Sequence, residues 1–193
     1  MRATGPAQPA HLLLDVADIL NELGIPNALV GAFAVSYYGV PRSTDDADSA
    51  VWLSGTGKSE QDVMRRLLDV GYRAELKRGD IDDPILGAIV VEDAHENRVD
   101  LLLGVRGMDP DAVHRCVWAS LLDSSVRIIG AEDLIAMKTF AGGLQDLEDV
   151  RGILQVSGTL LNIALLRELV RRYGADAADD LDKLLDEFPP SAL

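Results

Sequence analysis

Two carboxylates stand two residues apart at the head of an apolar run, Asp46-Ala47-Asp48-Ser49-Ala50-Val51-Trp52-Leu53. On an extended chain residues i and i+2 share a face, so this spacing predicts a strand, Ala47 to Leu53, that presents Asp46 and Asp48 side by side and turns Ala47 and Ser49 the other way. Two adjacent anions repel, so the fold has to bring a cation to that face or leave it open to water. The segment before it narrows the choice further. Ala28 to Val30 reads as a short buried strand, Gly31 as a sharp turn, and Ala32 to about Tyr38 as a helix stopped by Gly39, which makes a strand-turn-helix unit feeding the acidic strand.

The remaining pattern mixes both periods. Leu13, Val16, Ala17, Leu20 and Leu23 recur at helical spacing over His11 to Leu23, and Ser59 to Val70 is an amphipathic helix opened by the capping pattern Ser59-x-x-Asp62. Leu86 to Glu92 and Val99 to Leu103 flank the polar turn Asp93-Ala94-His95-Glu96-Asn97, as in an antiparallel hairpin, and Tyr72 to Leu76 joins them in a small mixed sheet. After Val126 to Ile129 the period turns helical, over Ala131 to Phe140, Gln145 to Gln155, Leu160 to Arg172 and Asp176 to Glu187. The expected class is therefore α+β. Residues 1–9 read as a disordered leader, 10–130 as the α/β core, and 131–193 as a helical part packed on it in a single compact unit.

Bulk properties exclude several functions. A chain of 193 residues buries a core without staples, and the single Cys116, in the apolar run Cys116-Val117-Trp118, reads as a buried thiol in a reducing compartment. The N-terminus lacks an apolar stretch of signal-peptide length, and no later run spans a bilayer, so a soluble, cytoplasmic protein without a membrane partner is expected. A formal charge of −14 repels polyanions as a whole, so a nucleic-acid partner would need a local basic patch.

Asp100 is the third candidate at the acidic site. It interrupts the apolar strand Val99-Asp100-Leu101-Leu102-Leu103, where an unpaired charge is costly. If that strand neighbours the one bearing Asp46 and Asp48, three hard oxygen donors gather as in two-metal phosphoryl-transfer sites. The ion expected is Mg²⁺, with Mn²⁺ as its substitute, and Asp100 would orient or deprotonate an acceptor. Gly31 lets the backbone approach a phosphate while the first N–H groups of the next helix, that of Ala32 included, face the anion. Arg42, Ser43 and Thr44 add one cation and two hydroxyls before the acidic pair. Gly55-Thr56-Gly57-Lys58-Ser59 imitates a phosphate loop, but Trp52 stands where that loop needs glycine, and a turn capped by Ser59 accounts for it. His11, His95 and His114 are not spaced as a metal set. The acid-rich loop Arg78 to Pro84 either overhangs the site or, as the simpler reading, is a solvated turn before the hairpin.

The run Val30-Gly31-Ala32-Phe33 through Gly39-Val40-Pro41-Arg42-Ser43-Thr44-Asp45-Asp46-Ala47-Asp48 resembles the opening motif of DNA-polymerase-β-like nucleotidyltransferases, in the variant of the AbiEii/AbiGii toxin-like group. Arg98-Val99-Asp100-Leu101-Leu102 resembles that group's third-carboxylate strand. Glu132 to Lys138 and Gln145 to Val150 resemble its helical lysine and aspartate motifs, and the likeness spans roughly Leu12 to Leu154. It implies a nucleotidyltransferase fold and Mg²⁺-dependent transfer of a nucleoside monophosphate from a nucleoside triphosphate to an RNA, protein or small-molecule acceptor. A toxin role beside a cognate antitoxin protein is the narrower implication. Lys138 becomes a triphosphate contact or stays a solvated helix lysine, and Asp146 and Asp149 line the site or stay exposed helix acids. Two departures stand out: Ala32 replaces the second Gly or Ser of the turn, keeping the backbone N–H, and Gly143-Leu144 replaces a basic residue. They motivate the alternative of a catalytically silent member that binds nucleotide or a partner protein.

Overall fold

Apolar strands that alternate with short helices have to stack as layers to hide their side chains. The computed structural model describes residues 1–81 and 83–189, so Asp82 of the loop before the hairpin and the last four residues lie outside the described residues. Seven strands, β1 (Asn27–Leu29), β2 (Asp46–Val51), β3 (Arg73–Arg78), β4 (Gly87–Glu92), β5 (Arg98–Leu102), β6 (Val117–Leu121) and β7 (Ser124–Ile128), make one mixed sheet in the order β3-β4-β5-β2-β1-β7-β6. The hairpin of β4 and β5 is antiparallel as expected, whereas β5 runs parallel to β2 and β7 parallel to β1. The α+β class and mixed sheet agree with the sequence reading, and the sheet is larger than expected.

Helix α1 (Pro9–Glu22) lies across β1, β2, β5 and β7 and buries Leu12, Leu13, Val16 and Leu20, while α3 (Glu60–Asp69) covers β3 and β4 with Val63 and Leu67. The start of α3 is a capping box: Ser59 Oγ accepts from the Asp62 N–H at 3.3 Å and Asp62 accepts from the Ser59 N–H at 2.9 Å. That reciprocal pair explains why Gly55 to Ser59 is a turn rather than a phosphate loop. Helix α2 (Gly31–Tyr37) leaves β1 directly and packs on β2. Helix α4 (Ala112–Arg115) precedes β6, and the C-terminal helices α5 (Ala131–Ala141), α6 (Leu144–Ser157), α7 (Ile163–Arg171) and α8 (Ala175–Glu187) pack on one another around α5.

Three sequence expectations differ from the structure. Residues 1–9, read as a disordered leader, are instead held in place: Arg2 binds Asp15 at 2.8 Å and Asp18 at 2.7 Å, the Asn97 amide donates to the Gly5 carbonyl at 2.9 Å, and Pro9 opens α1. The run beginning at Cys116 is not core but the edge strand β6, so Trp118 is 67% exposed and Cys116 only partly buried. An edge strand has one neighbour and hides fewer of its side chains, which periodicity alone does not reveal. Finally, α4 and β6 were not read from the sequence at all. Among the described residues no helix is long and apolar enough to cross a membrane.

Candidate active site

The parallel ladder between β2 and β5 sets the chemistry. Asp48 stands opposite Asp100 and Asp46 opposite Arg98, so three carboxylates and one guanidinium share one face at the ends of two adjacent central strands. The neighbours Ala47 and Val99 turn to the other face and are buried. Backbone bonding fixes the approach of the preceding turn, because the Val30 N–H donates to the Asp48 carbonyl at 3.0 Å. Gly31 then adopts φ +59°, and any β-carbon at that position would collide with the Asp48 carboxylate. Glycine is therefore required here on two counts, by the left-handed backbone and by the close seat of Asp48.

Each carboxylate is held differently. Asp46 accepts from Thr44 Oγ1 at 2.8 Å. Asp100 takes a two-pronged contact from Arg98, Nε to Oδ1 at 2.8 Å and a terminal nitrogen to Oδ2 at 2.6 Å. No side-chain hydrogen bond or ion pair to Asp48 is found among the described residues. Burial, with Asp46 and then Asp100 nearby, pushes its carboxyl up to about 6, against the smaller pull of Lys138 and Arg98. A half-buried carboxylate kept next to two others is a site short of positive charge.

Across the cleft the helical side carries the cations. Lys138, on α5, is 8% exposed, and its Nζ lies 2.8 Å from both Asp146 and Asp149 of α6. Arg42 reaches the same Asp149 at 2.7 Å. Asp149 is 1% exposed, so it holds the two cations from behind. Between the two sides is a cleft of about 330 Å³. Its polar lining is Arg42, Thr44, Asp46, Asp48, Lys138 and Asp146, the turn Gly31-Ala32 forms its floor, and Pro84, Ile85, Leu102, Val105, Leu134 and Met137 make an apolar wall.

The sequence-predicted residues separate into groups. Gly31, Ala32, Arg42, Thr44, Asp46, Asp48, Lys138 and Asp146 line the one cleft. Asp100 sits beside it on the shared face and is turned to Arg98. Ser43 is exposed and outside the lining, because alternate residues of the extended segment before β2 point away from the cleft. Lys138 is not a solvated lysine, and Asp149 is not an exposed helix acid; each is buried because the other neutralises it. Sequence reasoning missed Arg98, although its position two residues before Asp100 on a strand was the available signal. It also missed the apolar wall, which is assembled from three separate segments, 84–85, 102–105 and 134–137.

Among the described residues, no three His, Cys, Asp or Glu side chains already form a closed ligand set for a metal ion, so the expected convergence of Asp46, Asp48 and Asp100 on one point is not preformed. The physical reason is mutual repulsion, together with the Arg98 fork that occupies both oxygens of Asp100. The donor chemistry nevertheless fits a hard divalent cation, with all-oxygen ligands on adjacent strands and a carboxylate, Asp48, raised by burial and then by its like-charged neighbours.

No family model and no curated protein matches the sequence. Solved structures do match. The antibiotic-resistance factor ANT(2'')-Ia in solution superposes with a TM-score of 0.59 at 14% identity, covering 92% of this chain and 95% of that one. The chain has the nucleotidyltransferase fold. An antigenic nucleotidyltransferase-like protein from Paracoccidioides brasiliensis gives 0.56 at 15% identity over 97% of this chain and 92% of its own. The lincosamide antibiotic adenylyltransferase LnuA, bound to lincomycin, gives 0.51 at 13% identity over 80% of this chain and 100% of its own. Within the nucleotidyltransferase fold, then, the Gly31 turn, the β2 carboxylates Asp46 and Asp48 and Lys138 line one cleft, with Asp100 of β5 beside it.

Proposed function

We propose that the chain is a cytoplasmic nucleotidyltransferase that moves a nucleoside monophosphate from a nucleoside triphosphate to a hydroxyl-bearing acceptor, using Mg²⁺ or Mn²⁺ held by Asp46 and Asp48 with Asp100 completing the set. The observation that carries this reading is Asp48: a half-buried carboxylate seated on Gly31, opposite Asp100, and facing the cleft that holds Lys138. A divalent ion held there by Asp46 and Asp48 would neutralise the clustered carboxylates and supply positive charge against the charge that develops on transfer. The chain's own groups do the rest. Gly31 and Ala32 offer backbone N–H groups to the phosphates, Arg42 and Lys138 offer positive charge, and Asp100, once free of Arg98, accepts the acceptor's proton as the new P–O bond forms and pyrophosphate leaves.

The acceptor is a small molecule in this reading. The net charge of −14 and the acidic face of β2 and β5 repel an RNA backbone, whereas the apolar wall suits a compact organic body. Structural neighbours lend support: LnuA was seen with lincomycin, and ANT(2'')-Ia with adenylyl-2''-tobramycin. The narrower resemblance to the AbiEii/AbiGii group, carried by Gly39, Arg42, Thr44, Asp46 and Asp48, instead favours a toxin with an RNA or protein target and a cognate antitoxin. Incubation with α-labelled triphosphates and Mg²⁺, with hydroxylated small molecules, total RNA or cell protein in separate arms, distinguishes them. Label is expected on a small molecule and lost in Asp46→Ala. Labelled RNA or protein would transfer the case to the toxin reading, and labelling that survives Asp46→Ala would remove the site assignment. A silent member, motivated in the sequence by Ala32 and Gly143-Leu144, gains the Arg98 fork on Asp100 in its favour. Its mark is triphosphate binding without turnover in any arm.

A further inference from the structure

Arg98 has no chemical role of its own in the transfer, yet its geometry is specific. It lies two residues before Asp100 on β5 and opposite Asp46 on β2, so the ladder places one guanidinium among the carboxylates of the shared face. Its fork occupies both oxygens of Asp100, at 2.8 and 2.6 Å. Asp100 is mostly covered at 17% exposure, while Arg98 is 40% exposed and has solvent to swing into. A planar guanidinium gripping a carboxylate through two parallel bonds competes for the same lone pairs a hard cation would use.

Given the reading of the site under Proposed function, we infer that Arg98 is a built-in competitor for the divalent cation. It neutralises Asp100 in the ion-free protein and has to release at least one Asp100 oxygen before that carboxylate can join Asp46 and Asp48. Arg98 is thus a positioning residue. It keeps three clustered carboxylates tolerable in the ion-free state and sets the ion concentration at which the site assembles. Asp46 and Asp48, which no arginine forks, are the first donors available to an ion, and Asp100 is recruited last. Swung aside, the guanidinium stays near the mouth of the site because the β5 backbone holds it between Asp46 and Glu92 in the two ladders.

The test is direct Mn²⁺ binding to the full chain without nucleotide, followed by calorimetry or by paramagnetic resonance, in the wild type, Arg98→Gln and Arg98→Lys. Arg98→Gln is expected to bind Mn²⁺ about ten-fold more tightly, because the two charge-assisted bonds of the fork no longer have to be broken to free Asp100. Arg98→Lys keeps the charge and loses the fork, and is expected to fall between the two. In an Asp100→Asn background the Arg98→Gln gain should vanish, an outcome that a purely structural role for Arg98 does not produce. Wild-type binding with no gain in Arg98→Gln, or a gain that persists with Asp100→Asn, overturns the competition while leaving the proposed function standing. No wild-type binding at millimolar Mn²⁺ would instead remove the metal site itself, and this inference with it. Thermal unfolding with and without Mn²⁺ guards against misfolding. A folded Arg98→Gln should melt lower than wild type in the ion-free state and recover most of the deficit on adding Mn²⁺.

Discussion

The two walls of the cleft solve the same electrostatic problem in opposite ways. On the helical wall, Lys138 and Arg42 face Asp146 and Asp149, so two cations meet two anions, and Asp149 alone serves both cations. On the sheet wall, Asp46, Asp48 and Asp100 share a single guanidinium, that of Arg98, which is committed to Asp100. The first wall is balanced around the buried pair Lys138 and Asp149; the second is left with excess negative charge. A fold gains nothing in its own stability by keeping Asp48 half-buried and, among the described residues, without an ion-pair partner, which is why the proposed function places the ion there. Substitutions should accordingly have opposite signs on the two walls.

The largest effect is expected at Asp149. Removing one partner of a buried ionic cluster leaves the others desolvated, and Asp149→Ala should destabilise the fold by about 3 kcal/mol, since Lys138 retains Asp146 while Arg42 loses its only anchoring carboxylate among the described residues. Urea unfolding measures this directly. Asp149→Asn, which keeps a hydrogen-bond acceptor, should lose less. A neutral Asp149→Ala would mean that the helical wall is not the balanced structure its geometry indicates.

On the sheet wall the sign reverses and depends on pH. Asp48 has its carboxyl pushed up to about 6 by burial and by Asp46 and Asp100, above the value of about 3.9 in an unfolded chain. A group raised in the folded state favours folding fully below its unfolded pKa, and that contribution is lost as pH rises through the folded value. Asp48→Asn fixes the neutral form. Without metal it should therefore stabilise the protein by on the order of 1–2 kcal/mol at pH 8, after allowance for solvent screening, and by almost nothing below pH 4. Mg²⁺ should stabilise the wild type at pH 8 and not the variant. Destabilisation by Asp48→Asn at pH 8 would erase the contrast between the walls.

This asymmetry was only half legible in the sequence. The acidic face was visible because strand alternation is a local rule, so Asp46 and Asp48 follow from spacing, and Asp100 from its intrusion into an apolar run. Their adjacency is a matter of ladder register, Asp48 against Asp100, which no local pattern encodes. The balanced wall was less visible still. Lys138 and Asp149 lie on different helices, and their burial depends on a tertiary pairing that makes two charged residues jointly tolerable, so each alone reads as an ordinary surface residue. Edge strand β6 was missed for a related reason, since apolar Val117 and Trp118 suggest a core that an edge position does not provide.

The smallest effect separates neighbours in one segment. Thr44 donates to Asp46 at 2.8 Å and lines the cleft, whereas Ser43 is exposed and does neither. The sequence offered both hydroxyls as phosphate donors; the structure divides them, because adjacent residues of an extended chain point opposite ways. Thr44→Ala removes one part-exposed hydrogen bond on the charge-crowded wall, so its stability change should stay near 0.5–1 kcal/mol, while Mn²⁺ affinity falls several-fold as Asp46 loses the contact that orients it. Ser43→Ala should alter stability by less than about 0.5 kcal/mol and leave Mn²⁺ affinity unchanged. Equal loss of Mn²⁺ affinity in the two variants would show that the whole segment, rather than the Thr44 contact, holds Asp46 in place. The orientation of the carboxylate would then have to come from β2 itself.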